Sequence, residues 1–465
     1  FDQGGFQGGR GWMVDAKTDA LLSGPLYFDN MLAALSYNGT FFFAERDRLL
    51  YLKPNTTTTL VNGDNLVAPL LHELIHTNGS QTTPLRDLTI QYVSFRDTRK
   101  TFMHPHGVPS GGDWSLQRTA ALFLQGTVDF RLANCSFQRL DGNAVMLSGY
   151  NRYSTLIGNE FLWNGASAMS AWGDTDLDSG LSGNQPRFVK VWSNFGREIG
   201  FWEKQSSFWF QAKSCQIDLR NNIFFNAPRA AINLNDFFGG DNRIENNLLF
   251  NTCRESGDHG PINSWNRVPF KTRVFDGTVS FKSSPTIISH NFIIANYGAG
   301  FAVDTDDGSS FVHIAHNVLY DGGAMKMDYG GCSSRFEHNF IFARPHTGEQ
   351  PCYVVGAFLP GSADIMQKNK CVVPYFPPRN IHGHVGDNYQ CTLPDINATY
   401  VFRPDYNDYY CMYEPLFGCQ TLSGAVKNLT FTELQQVGVS THSRHFHYIP
   451  TASEMLRWSR HILQM

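Results

Sequence analysis

The feature that most limits what this chain can fold into is a returning asparagine, followed within three positions by Phe or Leu. It appears at Asn134 ("NCSF"), Asn159 ("NEF"), Asn194 ("NF"), Asn222 ("NIF"), Asn247 ("NLL"), Asn291 ("NF"), Asn317 ("NVL") and Asn339 ("NF"). Several gaps are 22 to 28 residues, and the gap of 44 after Asn247 reads as one repeat plus a long loop. Alternating apolar runs such as "VDFRLANCSF" and "CQIDLRNNIFF" precede most of these asparagines and read as short strands. Short strands at this period, each closed by an Asn at a tight turn, predict a parallel β-solenoid. Each coil stacks on the next, and the side-chain amides hydrogen-bond along the stack. Helical repeats of similar period need a 3.6-residue apolar pattern, which Gly and Asn interrupt in every candidate segment.

The solenoid is read over residues 83–371. Residues 1–82 form an irregular β segment in which "GTFFFAERDRLLYLKP" suggests a hairpin. Residues 372–465 are a loop-rich cap, with Pro374, Pro377 and Pro378, then two helices at "TFTELQQVG" and "SEMLRWSRHILQM". Both flanks suit a solenoid, whose open ends expose strand edges unless covered.

Composition narrows the function. A net charge of −4 over 465 residues gives no electrostatic reason to expect nucleic acid or an anionic membrane surface. No apolar run approaches the ~20 residues that span a bilayer. Six of the nine cysteines (Cys332, Cys352, Cys371, Cys391, Cys411 and Cys419) fall in the last third, enough for three bridges and without C-x-x-C metal spacing. Sequons stand at Asn38, Asn55, Asn78, Asn134, Asn397 and Asn428. With a start at Phe1, these features read as a secreted, disulfide-containing glycoprotein, either a processed chain or a fragment.

Candidate chemistry follows from counting onward from each Asn. Polar residues recur nine to fifteen positions later: Glu203, Lys204 and Gln205; Asn233, Asn235 and Asp236; Asp258, His259, Asn263 and Trp265; Asp304, Asp306 and Asp307; Lys326 and Asp328. Coils in register would gather them on one face, with rungs ~4.8 Å apart. Carboxylates would then stand roughly 5 or 10 Å apart, which brackets the separations used by retaining and inverting glycosidases. Crowding raises one pKa and keeps one group protonated as a general acid. Asp236, Asp258, Asp306, Asp307 and Glu203 are the catalytic candidates. His259, Arg254, Arg229, Lys213 and Asn235 are candidates to bind substrate, as is Trp265, with Trp202 and Trp209 as further stacking faces. "DTDDGSS" reads also as an Asx-rich turn or a calcium loop. "TFMHPHGVPSGGDW", with two His two apart and no further ligand nearby, reads as a loop at a substrate edge.

These segments, with "RLDGNAVMLSGYNR", "SAWGDTD", "GNQPRF", "EKQSSFWFQAK", "INLNDFFGG" and "CRESGDHGPINSWNR", resemble secreted right-handed parallel β-helix proteins of the pectate-lyase-like superfamily, in its glycoside-hydrolase-like branch. The resemblance spans roughly residues 25–440. It implies a polysaccharide or glycan partner, no bound cofactor beyond a possible calcium, and carboxylate chemistry. The branch ends the last of these motifs "NSWDR", whereas this chain has Asn266 at the aspartate position. Two readings follow. One is an extracellular glycosidase, or less readily a lyase. The other is a glycan-binding or structural surface glycoprotein, including a homo-oligomer or filament subunit, that kept the solenoid and lost turnover.

Overall fold

A computed structural model of the chain describes residues 30–55, 67–107, 116–174, 182–236, 240–255, 259–266, 273–275, 278–280, 284–295, 301–322, 324–327, 331–343, 352–356, 364–374, 388–389, 391–392, 404–412, 414–420 and 426–465. Residues 71–465 belong to one compact unit and residues 11–70 to another. In the smaller unit, Thr40–Ala44 and Leu49–Lys53 pair antiparallel as the hairpin the sequence suggests.

The large unit is a right-handed parallel β-helix. Its first sheet runs Ile75–His76, Leu122–Val128, Val145–Arg152, Met169–Trp172, Trp209–Ala212, Ile232–Asn235, Ile262–Trp265, Phe301–Thr305, Ala324–Met327 and Tyr353–Gly356, every neighbouring pair parallel. A second sheet runs from Thr89–Gln91 to Ile365–Gln367, and a third from Ser94–Thr98 to Arg444–Phe446. Each coil contributes one strand to each sheet. Interior positions are filled by like on like: Phe95, Phe137 and Phe161 stack at 4.7 and 5.0 Å between ring centroids, and Leu122, Val145, Met169, Trp209, Ile232, Ile262 and Val303 line the core side of the first sheet.

The corner between the second and third sheets sets the register. From Asn159 through 194, 222, 247, 291, 317, 339 and 369 to Asn407, each side-chain NH2 donates to the next asparagine's Oδ1 at 2.9–3.1 Å. The same Oδ1 accepts the backbone N–H of the preceding asparagine at 2.9–3.0 Å. These asparagines are all buried, and each follows a residue of positive φ, from Gly158 (67°) to Tyr406 (58°). The left-handed residue turns the corner and the asparagine pays back the turn's lost backbone bonds. Asn134 is one residue out of this column. It is the exposed left-handed residue (φ 52°), while Cys135 holds the rung and donates its N–H to Asn159 Oδ1 at 3.0 Å.

The two C-terminal helices, Phe431–Gln436 and Ala452–Ile462, begin with Thr430/Glu433 and Thr451/Glu454 capping boxes. Met455, Trp458 and Ile462 pack on the third sheet against Phe340, Phe342 and Tyr410. Cys352 and Cys371 form a disulfide across 19 residues, and Cys419 is disulfide-bonded. Cys332 and Cys411 keep their thiols, so the three bridges that the cysteine count allows do not form; Cys411 Sγ lies 3.3 Å from His445 Nε2 instead.

Replacing Asn247 with leucine strips the acceptor from both the backbone N–H and the side chain of buried Asn222, so Asn247→Leu is expected to destabilise by about 2–4 kcal/mol. Asn134→Gly, at the exposed left-handed position, is expected to stay within about 0.5 kcal/mol of the natural chain. Urea unfolding of the three proteins checks both.

Candidate active site on the first sheet

Strand pairing places Asn233, Asn263, Asp304 and Lys326 on four successive rungs of the first sheet, and Asn235 opposite Trp265. The core side of these strands is apolar, so alternation sends this polar series to the outer face. The residues there are nonetheless buried: Asp304 is 0% exposed, Asn263 1% and Lys326 7%. Asn263 donates to Asn233 Oδ1 at 3.0 Å, and Asn233 donates to Asn235 Oδ1 at 2.8 Å.

Lys326 balances the acidic end of this series. Its Nζ lies 2.7 Å from Asp306 Oδ1 and 3.3 Å from Asp304 Oδ1. Burial works against the ammonium charge, but the two aspartates outweigh it and hold its pKa well above the ordinary lysine value. The "DTDDGSS" stretch is therefore the end of strand Phe301–Thr305 followed by a turn, with a lysine as its cation.

At the strand ends, backbone bonds fix a second column. Asp236 N–H donates to the Trp265 carbonyl at 3.0 Å, and Asn266 N–H to the Asp307 carbonyl at 2.9 Å. Residue 236 therefore faces residue 266 on the next coil, and Asn266 meets the turn at residues 306–309 on the coil after it, so Asp236 and Asp307 stand two coils apart, roughly 10 Å along the axis. Asn266 sits between them. Asp236 and Asn266 are buried, whereas Asp306 and Asp307 are partly exposed. At the opposite ends of the same strands, the buried Arg229 guanidinium meets His259 Nε2.

The other sequence-derived candidates fall elsewhere. Trp265 is 2% exposed, packed in an apolar layer with Met146, Trp172 and Phe210, and Trp209 is in the core. Arg254 pairs with Glu198 at 3.6 Å, and Lys213 is a half-buried residue whose N–H donates to the Asn235 carbonyl. Asp258 lies outside the described residues. Among the described residues no cluster of three or more His, Cys, Asp or Glu is placed to hold a metal ion.

Glu203 belongs to a separate centre. Three rungs separate the strand that follows it from the one bearing Asp304, or ~14 Å, so it is too far to share acid–base work with that group. Its partner is His106, whose Nε2 meets Glu203 Oε1; both side chains are buried, at 2% and 4% exposure. Sequence reading placed His106 on an edge loop and did not pair it with Glu203. Burial pushes the Glu203 carboxyl up to about 8 and pulls the His106 imidazole down, so the contact is a neutral acid donating to a neutral imidazole. The loop carrying His106 lies tight against Trp172: a Cβ on Gly107 would come within 2.6 Å of that ring. Beside this pair, Trp202 is 39% exposed, donates to Asp141 Oδ1 at 3.0 Å and carries Lys100 Nζ at 4.5 Å from a ring centroid. It offers the stacking surface that Trp265 does not.

No family model matches this sequence, and no curated protein is similar to it. Among solved structures, a protein titled "Glycoside hydrolase" is similar, with a TM-score of 0.51 and 14% identity over 63% of this chain. The matched region spans 55% of that protein, about half its length, and at this identity the likeness shows the fold alone.

The Glu203 pair yields a pH signature. The folded chain keeps a proton on Glu203 that the unfolded chain has released above the ordinary carboxylate value, so stability falls as pH rises from about 4.5 to about 8. Glu203→Gln, which cannot ionise, should flatten that slope by a few kcal/mol across the window. Denaturation midpoints of both proteins at pH 5 and pH 8 measure it; equal slopes would show that Glu203 is already ionised in the fold.

Proposed function

We propose that this chain is an extracellular carbohydrate-active protein of the pectate-lyase-like superfamily, a glycosidase whose substrate lies along the first sheet across residues 232–236, 262–266, 301–307 and 324–327. The observation that carries the reading is the placement of Asp236 and Asp307 two rungs apart. That separation, roughly 10 Å, is close to the ~6.5–9.5 Å between acid and base in inverting glycosidases, which leave room for the attacking water. The more buried Asp236 suits the protonated acid that gives its proton to the glycosidic oxygen, because burial disfavours its charge. The more exposed Asp307 suits the base that takes a proton from water. Lys326 is the ion-pair partner of Asp306 and Asp304, which sets those two aspartates apart from the proposed acid and base. Asp258 lies on the segment leading into strand Ile262–Trp265, next to His259, and stands as a further acid candidate; Arg229, His259 and Arg254 are candidates to orient the sugar.

The extracellular setting draws support from the Cys352–Cys371 bridge and from exposed side chains at Asn38, Asn55, Asn78 and Asn428; Asn397 lies outside the described residues. The similarity in fold to a glycoside hydrolase agrees with the chemistry and does not establish it.

One observation favours the second reading, a glycan-binding or structural glycoprotein without turnover. Asn266 occupies the rung between the two aspartates, where a carboxylate would crowd both and raise a pKa. The experiment is release of reducing ends from a polysaccharide panel by the natural chain and by Asp236→Asn, Asp307→Asn and Asn266→Asp variants. The proposal expects turnover in the natural chain and a loss of about 100-fold or more in both aspartate variants. Silence in the natural chain with turnover restored by Asn266→Asp would overturn it in favour of the second reading.

A further inference from the structure

A different face of the solenoid carries a groove. The corner between the first and second sheets places one positive-φ residue on each of five successive coils: Asp129 (56°), Tyr153 (56°), Phe188 (55°), Gln216 (57°) and Asp241 (54°). Their side chains line a groove of about 720 Å³ that continues onto the outer face of the second sheet, where Thr155, Lys190, Asp218 and Arg243 stand in register on successive rungs.

Two features of this groove bear on its ligand. The first is an aromatic pair. Tyr153 and Phe188 stack with centroids 5.0 Å apart and planes 9° from parallel, and Tyr153 is 53% exposed. A bulky side chain in the left-handed region costs roughly 1–2 kcal/mol that glycine would avoid and asparagine would reduce. Left-handed residues turn the other corners too; here two successive ones are aromatic and stacked, with one ring half in water. The second feature is charge balance. Lys190, Arg220 and Arg243 face Asp129, Asp218 and Asp241, three cations against three anions, so the groove has no net charge. Several of these groups are held in fixed geometry: Arg220 Nε on Asp218, Arg220 Nη2 on Glu245 at 3.3 Å, Gln216 on Asp241 at 3.4 Å, and Arg187 on Gln216 at 2.9 Å.

The geometry points to a second saccharide-binding site, selective for neutral oligosaccharides. Aromatic surface takes the C–H face of a sugar ring, and planar carboxylate, amide and guanidinium groups on either side read its hydroxyls as fixed donors and acceptors. A balanced groove gives a uronate, a sulfated glycan or a nucleic acid no net attraction. The site stands on the groove's own chemistry, on another sheet from the proposed catalytic column. It would hold a chain to the surface whether or not the first sheet turns substrate over.

Calorimetric titration of the whole chain tests this, using cellohexaose, xylohexaose, mannohexaose and laminarihexaose as neutral probes and hexagalacturonate as the acidic one. At least one neutral hexaose should bind saturably. Tyr153→Asn, which keeps a residue suited to positive φ and removes the ring, should weaken that binding at least tenfold. Lys190→Ala, an exposed change that leaves the ring pair in place, should weaken it by a smaller factor. Neutral binding that survives both substitutions would place the sugar on the first sheet and overturn the groove while leaving the catalytic reading intact. Binding of none of the neutral probes, or preference for hexagalacturonate, would overturn it as well.

Discussion

The asparagine ladder is the interaction on which the rest of the structure depends. One amide oxygen per coil accepts two N–H groups from its neighbour, and the amide nitrogen donates onward, so nine asparagines from Asn159 to Asn407 are tied into one column. A sheet of short parallel strands has weak local specification, because a slip of one residue would exchange its two faces. The ladder removes that freedom at every coil. The connection from that corner to the first sheet varies in length, so strand pairing, not a constant offset, sets which residues share a first-sheet column, as for Asn233, Asn263, Asp304 and Lys326.

That column has a price in desolvation. Asp304 is fully buried, Asp236 nearly so, and a buried carboxylate is tolerated only with a compensating charge or a retained proton. The chain uses both solutions at different places. Lys326 bridges Asp304 and Asp306, where two acids crowd; Glu203 instead stays protonated against His106. The two centres are separated by rungs of stacked apolar and amide residues, so the acidic residues along the first sheet do not act as one cluster.

The repeat, the corner asparagines and the polar offset were legible because a solenoid repeats its local chemistry every coil. Asn369 and Asn407 fall outside the pattern because "NKCV" and "NDYY" carry no Phe or Leu within three positions of the asparagine. Asn134 was misplaced by one position because "ANCSF" fits the motif with either Asn134 or Cys135 at the rung, and only the hydrogen bond to Asn159 distinguishes them. The Glu203–His106 contact was illegible: 97 residues separate the partners, and the histidine arrives on a loop with no place in the repeat. Trp265 looked like a stacking face because its neighbours are polar, yet strand alternation across coils sets it among Met146, Trp172 and Phe210. Periodicity reports what repeats along the axis, and inserted loops decide what covers it.

The central claim is that first-sheet pairing puts residues 236, 266 and 307 on three successive coils, and paired cysteines test it most directly. Oxidation should join the two cysteines in Asp236→Cys/Asn266→Cys and in Asn266→Cys/Asp307→Cys, because adjacent rungs fall within the ~4.4–6.8 Å Cα separation a disulfide needs. The pair Asp236→Cys/Asp307→Cys, two rungs apart, should stay reduced. Peptide mapping by mass spectrometry reads all three. Cross-linking of the third pair, with neither of the first two, would contradict the register and the site built on it.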